Sequence, residues 1–501
     1  MEVHVTHRMS RRSLLLSAAA LAATAGPLAA TARAAARTPK VLVIGLDGAL
    51  LTRIKDADAP HLDALMAAGL TAPSSIHAQP LAPTMSGPGW STLLTGVWPD
   101  KHNVRDNAFT GHRFAQYPDF LTRAETAKPS LTTYAVSSWA PITDTALSPK
   151  VDTRVSTPSA EYDTGTTSRA VAQLRGGDPD AVFVQLDNID HAGHDHGAAS
   201  GQYLDAIHGA DAQVGQMVAA VKSRASYASE DWLIMVTADH GHTGAGGHGG
   251  STLPERQTFL IATGPTLAPG SVRYDVKMPD VAASALAHLG VSIDPAWNLD
   301  GRPVQQPRPD DFDTLRAGLA PRTDETGIPA AVLGHTHTPP AGWSVDNSAM
   351  GTGGVAEWRG WTFTTDEFWT AAQRDQHRES NVRARNVFAV ADGDEWYDKP
   401  VTGTFDSTLV SPAYPVTGGR TATLTYTTYY RHESPQKGEV LVSYDDAAPV
   451  TVRTYTADVP SRTETVALQV PAGARTARVR FRYTAGNNWY WVIDGVALTG
   501  S

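Results

Sequence analysis

Three apolar runs in this chain each end in a carboxylate, and that repetition constrains the fold more than any other feature. Lys40 to Leu46 runs into Asp47, Ala181 to Leu186 runs into Asp187, and Trp232 to Thr237 is followed by Ala238 and then Asp239-His240-Gly241. Continuous apolar runs of this length read as parallel strands buried on both faces, and ligands collect outside the carboxyl ends of such strands. Asp190 and His194 follow the second run, and His248 follows the third. Asp and His side chains converging in one crevice would repel and desolvate one another unless cations neutralised them, so the set reads as a metal site. A single strand-terminal Asp is more simply a helix cap. The spaced set carries the reading.

A chain of 501 residues exceeds one ordinary core, which predicts two folded domains and an export segment. Residues 1–34, with Ser10-Arg11-Arg12-Ser13-Leu14-Leu15 and the Ala32-Arg33-Ala34 site, resemble a twin-arginine signal peptide. The expected protein is therefore secreted or extracytoplasmic, exported by the twin-arginine route, with no stable membrane span after processing. Residues 38–304 alternate apolar strands with helical segments over 60–68, 202–221 and 280–288, which predicts an α/β fold with a doubly wound, mostly parallel sheet. Residues 305–340, rich in Pro, Asp, Arg and Thr, read as a linker with one short helix around 312–318.

From 341 to 501 the texture turns to period-two strands over 421–430, 440–444, 450–455, 464–470 and 477–483, an antiparallel β-sandwich pattern. Its final aromatic run, Trp489-Tyr490-Trp491, resembles the terminal strand of jelly-roll modules attached to secreted enzymes. Core packing is the simpler role for these rings and glycan contact the alternative. If this domain is accessory, truncation before Gly342 preserves hydrolysis of a small soluble substrate.

Formal charge is -10, from 41 basic and 51 acidic residues, so there is no basic footprint for nucleic acid. The absence of cysteine excludes disulfides, thiolate zinc sites and a cysteine nucleophile, and leaves any metal to oxygen and nitrogen donors. One hydroxyl stands out. Ser86 opens a short helical stretch that stops at Gly96, and a helix N-terminus favours an alkoxide and an incoming phosphate or sulfate ester. Taken alone it would be an N-cap; metal coordination is one way to activate such a hydroxyl.

Together, Asp47, the Pro83-Thr84-Met85-Ser86-Gly87-Pro88 helix start, Asp190-His191-Ala192-Gly193-His194, Asp239-His240-Gly241 and His248-Gly249 resemble the alkaline phosphatase superfamily. The likeness is greatest to its nucleotide pyrophosphatase and phosphodiesterase branch and spans most of residues 38–304. It implies two divalent metal ions. Zinc suits His and Asp donors best, while ligand type leaves manganese and other divalent ions open. Asp47, Asp239, His240 and the Ser86 oxygen are implied around one ion, and Asp190, His194 and His248 around the other.

Asn107 is implied to bind a non-bridging phosphate oxygen. The implied activity is hydrolysis of phosphodiester or pyrophosphate bonds in a small phosphate ester, through a phosphoseryl-type intermediate on Ser86; an alkaline phosphomonoesterase is the alternative. Two departures leave substrate specificity open: Gly89 replaces an Asn common in that branch, and serine replaces the commoner threonine nucleophile. Trp90 stands where a sulfatase needs arginine. Asp187, His191, His196 and His242 lie off the matched positions and are expected beside the ions or at the surface. Readings from other classes are a serine hydrolase using Ser86 or Ser91, and a surface carbohydrate-binding protein with an inert phosphatase-like domain.

Overall fold

The computed structural model describes residues 37–445 and 447–500; the export segment expected over residues 1–34 lies outside them. Among the described residues, the first sheet contains β1 (Thr38–Leu46), β2 (Leu70–Ser75), β3 (Thr133–Ser137), β4 (Thr153–Ser156), β5 (Ala181–Leu186), β6 (Glu230–Thr237), β7 (Gln257–Thr263) and β8 (Ser271–Val272). They lie in the order β4-β3-β5-β1-β6-β7-β2-β8. From β4 to β6 the strands are parallel, and β7 turns antiparallel against β6 and β2. Alternate residues of β1 face two different cores. Val41 and Val43 pack with Trp90 and Leu286 on one side, whereas Leu42 and Ile44 pack with Ile207 and Val214 on the other. Helices cover both faces, as in a doubly wound sheet.

Register is what assembles the site. Leu46 pairs with Leu186 and Gly45 with Thr237, so Asp47, Asp187 and Asp239 continue from three adjacent strands at one level. The helices expected over 60–68 and 280–288 span Pro60–Ala68 and Asp280–His288, and the one expected over 202–221 is Gly201–Lys222. No helix among the described residues is long and apolar enough to cross a membrane.

Downstream, a seven-stranded sheet and a six-stranded sheet pack over one core. The first is ordered Val459–Gln469, Thr421–Tyr430, Tyr490–Gly500, Phe388–Asp392, Thr362–Thr364, Leu333–Thr336 and Ala320–Pro321. Residues 305–340 are therefore not bare connection. Leu333–Thr336 and Ala320–Pro321 extend the sheet, and Phe312 and Ile328 are buried in its core, so apolar side chains anchor a stretch whose polar composition reads as a linker. Tyr490 and Trp491 are fully buried and serve the core, while Trp489 is half-buried with the Arg431 guanidinium 3.4 Å over its ring. Charged ties join the downstream region to the first sheet. Arg256, buried, is held by Asp366, Arg383 reaches Asp100 and Asp300, and Arg385 reaches Asp280.

Candidate active site

The helix Ser86–Thr95 lies on the sheet with all its residues buried, although it begins Ser-Gly-Pro-Gly. Pro88 falls in the first turn, where no intrahelical N–H is lost, and Gly96 ends the helix in the left-handed conformation at φ 73°. Its approach to β1 depends on Gly45, because a Cβ there would fall 2.2 Å from the Trp90 ring. Trp90 Nε1 donates to Asp47 Oδ2 at 2.8 Å, and Gln185 Nε2 donates to the same oxygen at 3.0 Å. Both bonds fall on one carboxylate oxygen, leaving Asp47 Oδ1 buried and without a hydrogen-bond partner.

Asp239 repeats the arrangement. Its Oδ1 accepts from the Gly48 N–H at 3.2 Å, while Oδ2 is buried and unpartnered. The two free oxygens lie 3.5 and 3.4 Å from His240 Nε2, and Ser86 Oγ lies 3.3 Å from it. Donors around a tetrahedral ion with bonds of about 2.0–2.1 Å are separated by roughly 3.3 Å, so these spacings fit one cation. His240 Nδ1 faces the Gly241 carbonyl at 3.1 Å, which assigns the proton to Nδ1 and the lone pair to Nε2. A serine hydrolase triad would need a carboxylate at that Nδ1, so the Ser86–His240 contact is not one. Ser91 is buried with its hydroxyl unpartnered.

A second cluster adjoins the first. His194 Nε2 lies 3.4 Å from Asp190 Oδ2 and 3.0 Å from His248 Nε2, and His248 Nε2 lies 3.5 Å from Asp190 Oδ1. Asp190 and His194 sit one turn apart on the helix Asn188–His196 and share a face. His248 sits on a loop pinned to the segment just before the Ser86 helix, since its Nδ1 donates to the Thr84 carbonyl at 2.7 Å and Thr84 Oγ1 accepts from the Gly249 N–H. Donor atoms of Asp190, His194, His242 and His248 all fall within 4.8 Å of one another, as do those of Asp47, Asp190 and His240.

Charge explains why these groups need a counterion. Burial, then the neighbouring Asp239 and Asp190 carboxylates, holds the Asp47 carboxyl well above its usual range; burial and Asp190 do the same to Asp239. Burial would also raise Asp190, but the hydrogen bond from His242 acts against it, and Asp190 is held low. Burial pushes His240 and His248 down, which keeps both imidazoles neutral with lone pairs for a metal. Unpartnered buried oxygens, neutral imidazoles and the spacing together fit divalent cations.

Asn107 stands at the mouth of this crevice. Its Oδ1 accepts from the Gly87 N–H at 2.7 Å, next to Ser86. His102 anchors the loop, bonding Thr92 through Nε2 and accepting from Val104 N–H through Nδ1. The structure thus brings together Asp47, Ser86, Asn107, Asp190, His194, Asp239, His240 and His248. His191 is exposed and pairs with Asp195 along its own helix. Asp187 is taken up by Tyr162 and Gln185 and stays outside both clusters. His242, set aside by sequence, is fully buried and bonded to Asp190.

Residues 41–382 match the model of the family "Type I phosphodiesterase / nucleotide pyrophosphatase". The catalytic subunit of human GPI ethanolamine phosphate transferase 2 is 29% identical over 160 residues, covering 29% of this chain. The match spans only 16% of that relative's length. Among solved structures, murine ectonucleotide pyrophosphatase/phosphodiesterase 5 aligns at 14% identity and a TM-score of 0.42, over 50% of this chain and 95% of that one. The phosphonate monoester hydrolase of Agrobacterium radiobacter aligns at 15% identity and a TM-score of 0.40, over 53% and 76%.

Proposed function

Since the chain belongs to the type I phosphodiesterase / nucleotide pyrophosphatase family, we propose that it hydrolyses phosphodiester or pyrophosphate bonds of a small phosphate ester, with Ser86 as nucleophile. The observation that carries this is the convergence of Asp47 Oδ1, Asp239 Oδ2 and Ser86 Oγ on His240 Nε2 at 3.3–3.5 Å, beside the Asp190, His194 and His248 cluster. Asp47, Asp239, His240 and Ser86 would hold one divalent ion, and Asp190, His194 and His248 the other, zinc suiting the mixed donors. Bound ions would supply Lewis acidity to the attacking and leaving oxygens of an in-line displacement.

The chain's own groups do the rest. Trp90 and Gln185 fix Asp47, Asn107 Nδ2 steadies a non-bridging phosphate oxygen, and the helix N-terminus favours negative charge at Ser86. Ser86 Oγ bonds to phosphorus as the leaving alcohol's P–O bond breaks; water then bonds to phosphorus as the Ser86 ester breaks. Export through the twin-arginine segment at 1–34 and a supporting role for the downstream sheets complete the proposal.

The test compares kcat/KM for a bis-aryl phosphate diester, an aryl phosphate monoester and an aryl sulfate on metal-analysed protein. The expected order puts the diester first, with Ser86→Ala lowering it by at least about a thousandfold while metal content holds. A strong monoester preference overturns the diester reading.

A further inference from the structure

We infer that His242 is a positioning residue: it donates its Nε2–H to Asp190 Oδ1 and so fixes Asp190 toward the ion it shares with His194 and His248. This rests on the metal reading proposed above. The ring is fully buried and seated between two glycines. A Cβ on Gly193 would fall 2.7 Å from it, and one on Gly48 would fall 2.8 Å from both the ring and Asp190 Oδ1. The Tyr203 hydroxyl holds the Gly48 side of this seat, donating to the Gly48 carbonyl at 2.6 Å and accepting from the Leu50 N–H.

Two distances separate a positioning role from coordination. His242 Nε2 lies 2.6 Å from Asp190 Oδ1, a hydrogen-bond length and shorter than the roughly 3.3 Å edge between donors that share a tetrahedral ion. The ligand pairs of the same cluster stand 3.0–3.5 Å apart. The far side of each ring agrees. A ligating imidazole ordinarily donates its other N–H, and His240 and His248 do so to the Gly241 and Thr84 carbonyls. His242 Nδ1 is buried with no partner, so coordination through Nε2 would strand a buried N–H, whereas the Nε2–H tautomer leaves only a lone pair unmet.

The experiment uses the full chain as wild type, His242→Leu, which has no donor, and His242→Gln, which restores an N–H. Zinc affinity is measured at each of the two sites by competition with a chromophoric chelator, and visible spectra are taken at saturating cobalt. His242→Leu is expected to weaken one site by about tenfold to a hundredfold and leave the other unchanged, with recovery in His242→Gln. Saturated cobalt spectra of all three should superimpose, because the ligands are the same. Unchanged affinities in His242→Leu, or altered spectra in both variants, overturn the inference. Wild type that takes up no divalent ion sinks the metal reading itself. Should the Leu variant not fold, X-ray absorption of zinc-loaded wild type decides: imidazoles from His194, His240 and His248 alone support positioning, and a fourth contradicts it.

Discussion

Gly89 shows how closely the Ser86 helix approaches the candidate metal-binding residues. A Cβ there would fall 2.7 Å from the Asp239 carbonyl and 2.9 Å from the Asp239 Cβ, so the helix backbone lies against the residue that faces His240. The space that an Asn side chain would need is filled, which gives this departure from the related branch a steric reason. Gly89→Ala is expected to shift Asp239 and lower diester kcat/KM by about a hundredfold, with an unchanged far-ultraviolet circular dichroism spectrum; wild-type kinetics would contradict this. At this scale the sequence pointed to most of the candidate ligands, because Asp47 and Asp239 follow strands and Asp190 and His194 sit one helical turn apart, while His248 lies on a loop. Which oxygen of Asp47 or Asp239 stays free was hidden, because Trp90, Gln185 and the Gly48 N–H decide it from distant parts of the chain.

Elements with strong local patterns were legible in sequence, and those defined by partners were not. Asp280–His288 carries its own helical period, whereas Leu70–Ser75 contains Pro73 and becomes a strand only by pairing with Gln257–Thr263. Pro73 is tolerated because the other neighbour, Ser271–Val272, pairs only at Leu70 and Thr71. The helix Gly393–Trp396 offers a prediction about acidity. The Arg378 guanidinium faces Asp392, Asp394 and Glu395 at 3.2, 3.3 and 2.7 Å, one cation against three carboxyls. Burial pushes Glu395 up to about 8. A carboxyl raised in this way adds stability below its unfolded value, near 4.5, and loses it as pH rises through about 8. The wild-type Tm should therefore fall between about pH 5 and pH 8 and level off above that. Glu395→Gln should remove that fall, and parallel profiles would refute the assignment.

At the scale of the whole molecule, the described residues form one compact unit, and the family match runs to 382, well past the first sheet. Asp366 holds the buried Arg256 and bonds Ser75, while Asp375 accepts from Ser251, three residues beyond His248. The downstream region thus braces the loop that carries His248. Truncation before Gly342, which composition alone suggests would be harmless, removes both carboxylates and exposes Phe312 and Ile328. Asp366→Ala should cost about 3–5 kcal/mol in denaturant unfolding, since it leaves Arg256 buried and unpaired, and the truncated chain should show no cooperative transition. A stable, active truncation would contradict this bracing.

The central claim is that Ser86 attacks phosphorus and water then displaces it. It is tested most directly with a phosphorothioate diester of known configuration, hydrolysed in heavy-oxygen water and read by phosphorus NMR. Two in-line displacements predict net retention at phosphorus; inversion would mean that water attacks directly and that Ser86 is not the nucleophile.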